Sequence, residues 1–138
     1  MTTFYLRNPY RKINRRAMWE AFNDHQSEDC PLFFPIDVRV TDDIYLVEAL
    51  LPGILAEDLD IQVENNIVTI KGEAKYDHPE DERFLLRERP TGTFMRTIEL
   101  PDDVDTSNVD AELTNGVLKL RLPKTELAKP RKIKISNN

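Results

Sequence analysis

What the chain lacks narrows it first. A single cysteine, Cys30, cannot close an intrachain disulfide, which excludes the small secreted scaffold held together by such bonds. The two histidines, His25 and His78, stand far apart and join no spaced ligand set, so no zinc site is expected. Glycine occurs only at positions 53, 72, 92 and 116, too dispersed for a phosphate-cradling loop, and no Gly-x-Ser-x-Gly elbow exists. Asp103, Asp105 and Ser107 open like a calcium loop, but Asn108 stands where glycine is required and Thr114 where a bidentate glutamate should be. The expectation is a protein that is not an enzyme and needs no cofactor and no metal. No apolar run approaches the roughly 18–20 residues of a membrane span. The basic start of the chain has no hydrophobic block followed by a cleavage site, so the expected compartment is the cytoplasm.

What is there is a domain-sized chain with an uneven charge. Its 138 residues, 40% hydrophobic, suffice for one core that buries roughly 70% of the extended-chain surface. Residues 1–35 are nearly balanced, with five basic and four acidic side chains. Residues 36–123 carry nine basic and twenty acidic ones, and residues 124–138 five basic and one acidic. An acidic centre repels a phosphate backbone, which argues against nucleic acid as a partner. Basic ends around an acidic middle are suited to docking on such a middle, their own or a neighbour's.

Residues 1–35 read as an N-terminal arm. Ile13, Ala17, Met18, Ala21 and Phe22 recur at helical spacing and predict a short amphipathic helix, marginal in water without a partner. Trp19, Phe22, Phe33 and Phe34 make this segment apolar without giving it a core of its own, and mark it as the surface for binding other proteins. From Ile36 the period becomes two. Ile36, Val38 and Val40 alternate with Asp37 and Arg39, and Ile44 to Leu51 predicts a second strand before Pro52-Gly53. A two-residue turn at Asn115-Gly116 sets Leu113 against Leu118, Ala111 against Leu120 and Val109 against Leu122. The opposite face then pairs Glu112 with Lys119 and Asp110 with Arg121, as a half-buried antiparallel pair requires. At Asn65-Asn66 the same rule pairs Val63 with Val68, Ile61 with Ile70 and Asp60 with Lys71. At least six short strands and little helical period predict an all-β, immunoglobulin-like antiparallel sandwich over 36–123. The stretch 76–93 is too long for a hairpin. Its apolar trio Phe84, Leu85 and Leu86 suggests a strand that pairs outside its own sheet.

Four motifs carry a family resemblance. Ala111-Glu112-Leu113-Thr114-Asn115-Gly116-Val117-Leu118 fits the A-x-x-x-N-G-V-L signature of the small heat-shock proteins, the α-crystallin family. Leu51-Pro52-Gly53-Ile54 with Glu57-Asp58-Leu59 resembles its central region. Gly92-Thr93-Phe94-Met95-Arg96 before Leu100-Pro101 resembles its G-x-F-x-R…L-P stretch, and Ile133-Lys134-Ile135 its I-x-I tail motif. Together they cover residues 36–135 in the right order.

The resemblance implies a holding chaperone that works without ATP, binds unfolding client proteins, and assembles from homodimers into larger homo-oligomers. It implies that the loop at 76–93 is the dimerisation loop of the bacterial, archaeal and plant type. Phe84, Leu85, Leu86, Arg87 and Arg89 would then be exchanged across the dimer with Arg96 at the interface. It further implies a C-terminal tail, 124–138, whose Ile133 and Ile135 enter a groove on Leu59, Ile61, Val63, Val109 and Ala111. Strand alternation independently sets Arg96 on the apolar side with Phe94, Ile98 and Leu100, where a guanidinium needs a partner. Acidic residues between Asp77 and Glu82 are candidates. Two other readings are a CS-domain-like co-chaperone and a peripheral membrane contact through a basic amphipathic helix at residues 4–22.

Overall fold

The structure, a computed structural model, describes residues 32–135. Strands β1 (Ile36–Val40), β2 (Ile44–Leu50), β3 (Leu59–Glu64), β4 (Ile67–Ala74), β5 (Gly92–Glu99), β6 (Asp110–Thr114) and β7 (Val117–Pro123) follow in order. Short 3-10 turns at Ala56–Asp58 and Thr106–Asn108 precede β3 and β6. The strands form two antiparallel sheets, a four-stranded one in the order β1-β2-β7-β6 and a three-stranded one in the order β3-β4-β5. This is the all-β sandwich that the period-two pattern predicts.

Both hairpin registers agree with turn chemistry. Val63 faces Val68, Ile61 faces Ile70 and Asp60 faces Lys71, with an ion pair of 2.8 Å between the last two. Leu113 faces Leu118, Ala111 faces Leu120, Glu112 faces Lys119 and Asp110 faces Arg121. The expected Val109–Leu122 pair falls outside this ladder, because β6 starts one residue later, after the 3-10 turn. Asn65 and Asn115 each take φ 52°, the left-handed conformation that asparagine tolerates in tight turns.

The core lies between the sheets, with Val47, Val68, Ile70, Leu100, Leu118, Leu120 and Leu122 fully buried. It begins before β1. The Leu32 amide donates to the Thr93 carbonyl at 3.0 Å, and the Pro35 carbonyl accepts from the Leu50 amide at 3.1 Å. Phe34 is 6% exposed and meets Phe94 edge-on, with centroids 5.4 Å apart. Residues 32–35, read from the sequence as the end of the arm, are therefore structural parts of the sandwich.

Two glycines are dictated by close approach. Gly116 takes φ +75°, and a Cβ there would lie 2.9 Å from Pro52 Cα. The Leu51 amide donates to the Gly116 carbonyl at 2.7 Å, so the Leu-Pro-Gly and Asn-Gly motifs are two halves of one contact. At Gly72 a Cβ would meet both the Phe94 ring and the Asp58 carbonyl at 2.5 Å, so this gap in β4 seats the Phe94 ring.

Candidate functional site

The three-stranded sheet is placed over the other by its β5 side. Phe94 and Arg96 of β5 both reach Phe34, which leads into β1. β3 ends that sheet on the side away from β5, as β6 ends the four-stranded sheet on the side away from β1. Both are end strands with an unpaired backbone edge among the described residues. Leu59, Ile61 and Val63 on β3 are half-buried against the core, as is Val109, whereas Ala111 is exposed. Leu113 is also half-buried and packs on the core. The list read from the sequence missed it, although its alternation with Val109 and Ala111 was the available signal.

The candidate tail motif is set out in solvent. Ile133 and Ile135 are each 89% exposed, in a segment without regular structure. Its starting point is firmly held. Lys124 bridges to Val104, its amide donates to the Asp43 carbonyl at 2.8 Å, and Thr125 donates to the Asp103 carbonyl at 3.1 Å. Beneath this lies a cluster that the sequence reading missed. The Tyr45 hydroxyl donates to Asp102 Oδ2 at 2.6 Å, and the ammonium of Lys124, whose side chain is 10% exposed, lies 3.3 Å from the same oxygen. Lys124 Nζ also lies 4.9 Å from the Tyr45 ring centroid. The Tyr45 hydrogen bond, with a smaller contribution from Lys124, holds the Asp102 carboxyl below the usual carboxylate range against the opposing effect of desolvation. Burial, then the Asp102 hydrogen bond and charge, push the Tyr45 hydroxyl well up.

This cluster makes stability depend on pH with a definite sign. A carboxyl depressed in the folded state stabilises the fold above its unfolded value of about 4, and that contribution is lost as pH falls through the lower folded value. Replacing Asp102 by Asn should cost about 1–2 kcal/mol at pH 7, discounted for the partial exposure of the carboxylate. The gap in melting temperature between wild type and Asp102→Asn should close as pH drops below about 4. A gap of the same size at pH 3 and pH 7 would show that the carboxylate contributes nothing.

The long loop has no strand within the single chain, and its apolar residues point outward. Leu85 is 96% exposed, Leu86 74% and Phe84 48%. The loop is held by local contacts. The Arg87 guanidinium lies 5.1 Å from the Phe84 ring and donates to Thr91 Oγ1 at 2.8 Å, and Arg89 lies 4.2 Å over Tyr76.

Arg96 stands on β5 between buried Phe94 and buried Ile98, on the side that alternation assigns to it. Its Nη1 donates to the Phe34 carbonyl at 2.8 Å and its guanidinium lies 5.5 Å from the Phe33 ring. The arm residues divide. Trp19 and Phe22 lie outside the described residues. Phe33 is 54% exposed, with the Arg96 guanidinium beside its ring. Phe34 leaves the set of client-contact residues: it fills the space between the sheets beside Phe94, so its ring is not presented to a partner.

The former calcium-loop candidates are a capped turn. Asp105 accepts from the Ser107 amide at 3.1 Å and from Asn108 Nδ2 at 2.6 Å, which uses both carboxylate oxygens to cap the 3-10 turn. Among the described residues no group of three or more His, Cys, Asp or Glu could hold a metal ion, and no helix is long and apolar enough to cross a membrane.

Residues 37–136 match the model of the Hsp20/alpha crystallin family. The chain is 42% identical over 128 residues to the 18 kDa antigen of Mycobacterium leprae, covering 93% of this chain and 83% of that protein. Among solved structures it resembles heat shock protein 16.0 from Schizosaccharomyces pombe, with 31% identity and a TM-score of 0.66, covering 78% of this chain and 99% of that one. It also resembles a small heat-shock protein from Xylella fastidiosa, described as having a distinct high order structure, with 32% identity and a TM-score of 0.63, covering 78% of this chain and all of the other.

Proposed function

The chain belongs to the Hsp20/alpha crystallin family, the small heat shock proteins, and from that membership we propose that it is a cytoplasmic holding chaperone that binds unfolding proteins without ATP. It makes and breaks no covalent bond. One observation carries this reading. A folded sandwich with a closed core exposes large apolar side chains in separate places: Phe33 at the arm, Leu85 and Leu86 in the loop, Ile133 and Ile135 in the tail. Exposed apolar groups of this kind mark surfaces that meet other proteins.

Each place has its own role in the proposal. Phe84, Leu85, Leu86, Arg87, Arg89 and Arg96 join two copies into a dimer. Ile133 and Ile135 link dimers through the open edge formed by Leu59, Ile61, Val63, Val109 and Ala111, with Leu113 added to it. Trp19, Phe22 and Phe33 meet the client. Each tail contact is weak alone and strong when repeated around an assembly.

The test is light scattering of a heat-aggregating protein in nucleotide-free buffer, with the full chain and with a chain lacking residues 1–31. The cut spares Leu32 and Phe34, because removing them would open the core and confuse unfolding with lost contact. The full chain should suppress scattering, and the shortened chain should lose most of that effect while keeping its far-UV spectrum. Equal protection by both would move the client surface onto the sandwich, and no protection by the full chain would end the chaperone reading.

A further inference from the structure

The end strands of the two sheets differ in charge. β1 and β5 each carry an arginine, Arg39 and Arg96, whereas β3 and β6 carry no basic side chain. On β3 the half-buried Leu59, Ile61 and Val63 alternate with exposed Asp60, Gln62 and Glu64. On β6 the exposed Asp110, Glu112 and Thr114 alternate with Ala111 and Leu113. Lysine is the usual guard of an open edge, so two edges guarded by acid alone suit a basic strand. We propose that these edges select the tail of a second copy by charge as well as by its isoleucines, so that salt controls assembly. This selection rests on the reading that the tail links dimers, and adds what the edge recognises and what weakens it.

The tail has the matching pattern. Residues 131–135 hold Arg131, Lys132 and Lys134 and no acidic side chain. In an extended segment Ile133 and Ile135 point one way and Lys132 and Lys134 the other, about 7 Å apart. Those two rows answer the apolar and acidic rows of an edge strand. Phe84, Leu85 and Leu86 are contiguous and lack that alternation. The sandwich already pairs opposite charges between neighbouring strands. Asp60 meets Lys71 of β4 at 2.8 Å, and Asp110 lies 3.9 Å from Arg121 of β7. Glu64 forms no ion pair among the described residues. Glu112 faces Lys119 without an ion pair and accepts only from the Thr114 hydroxyl, at 2.7 Å. These two carboxylates are left for a strand laid on the open flank. An exposed ion pair strengthens one contact only about 1.5–5-fold, but every tail of an assembly repeats it.

The test reverses the tail's charge and keeps its isoleucines. Lys132→Glu with Lys134→Glu alters only exposed side chains outside the sandwich. Light-scattering mass is followed at fixed protein concentration from low salt to about 1 M NaCl, where charges are screened beyond about 3 Å. Wild type should be largest at low salt and lose subunits as salt rises. The tail variant should do the reverse: each contact is weakened about tenfold at low salt, and screening of the repulsion restores mass. Adding Glu64→Lys and Glu112→Lys, both at exposed positions, should restore its assembly at low salt.

Wild-type mass and salt response in the lysine variant would overturn the proposal. If Ile133→Ala with Ile135→Ala still dissociates the assembly in that case, the tail reading stands without its charge. Failure of Glu64→Lys and Glu112→Lys to restore the lysine variant, with the far-UV spectrum unchanged, would also overturn it, by placing the lysines against another surface. Wild-type mass in both the lysine and the isoleucine variants would remove the tail reading together with the proposal.

Discussion

Arg96→Glu should lower the melting temperature and convert a defined assembly into larger, heterogeneous particles. The reasoning starts from a half-buried strand position. Arg96 stands between Phe94 and Ile98 and donates to the Phe34 carbonyl, and so ties β5 to the segment leading into β1. A hydrogen bond from a charged donor contributes about 1.5–3 kcal/mol, so Arg96→Ala should cost an amount in that range. Glutamate does more harm, because it sets a half-buried carboxylate against a carbonyl oxygen that now lacks its donor. The expected cost is about 3 kcal/mol or more. In the proposed dimer the reversed charge would also face the acidic stretch from Asp77 to Glu82, adding repulsion where attraction is expected. Thermal unfolding read beside light-scattering mass separates the two effects. Loss of stability with unchanged mass would confine Arg96 to its own chain, and wild-type values for both would show a solvated side chain.

The second large effect is on assembly. Ile133→Ala combined with Ile135→Ala should reduce the oligomer to dimers or small species while the far-UV spectrum stays that of the sandwich. Both isoleucines are almost fully exposed in the single chain, so their removal costs the fold nothing. Burying them in a neighbour would gain roughly 1.5–3 kcal/mol each. Losing even about 3 kcal/mol per tail weakens each contact by more than a hundredfold, and the loss multiplies around a closed assembly. Size-exclusion chromatography at fixed concentration reads the result. An unchanged elution volume would take the tail out of the assembly scheme.

Legibility differed from one part of the molecule to another for physical reasons. Hairpins were readable because alternation and turn chemistry act over a few residues: Asn65 and Asn115 stand where left-handed backbone is needed, and their neighbours pair as counted. The inward side of Arg96 followed from the same alternation. Phe34 was misplaced because it precedes the first strand, where no period marks it as core. Leu113 was passed over although the alternation marked it. The Tyr45–Asp102–Lys124 cluster was invisible because its members come from the second strand, the loop after β5 and the residue that follows β7.

The sequence by itself determined the β class, the registers of two hairpins and the family, since each rests on residue types at short fixed spacings. Tertiary structure alone decided what those residues meet. It set Gly116 against Pro52, closed Gly72 over the Phe94 ring, drew Phe34 into the core and left Ile133 and Ile135 in water. The division follows from the physics of the chain. Backbone preference and alternation are local and can be read in order, whereas packing joins distant segments at van der Waals distance, and only the closed sandwich specifies which side chain fills which space.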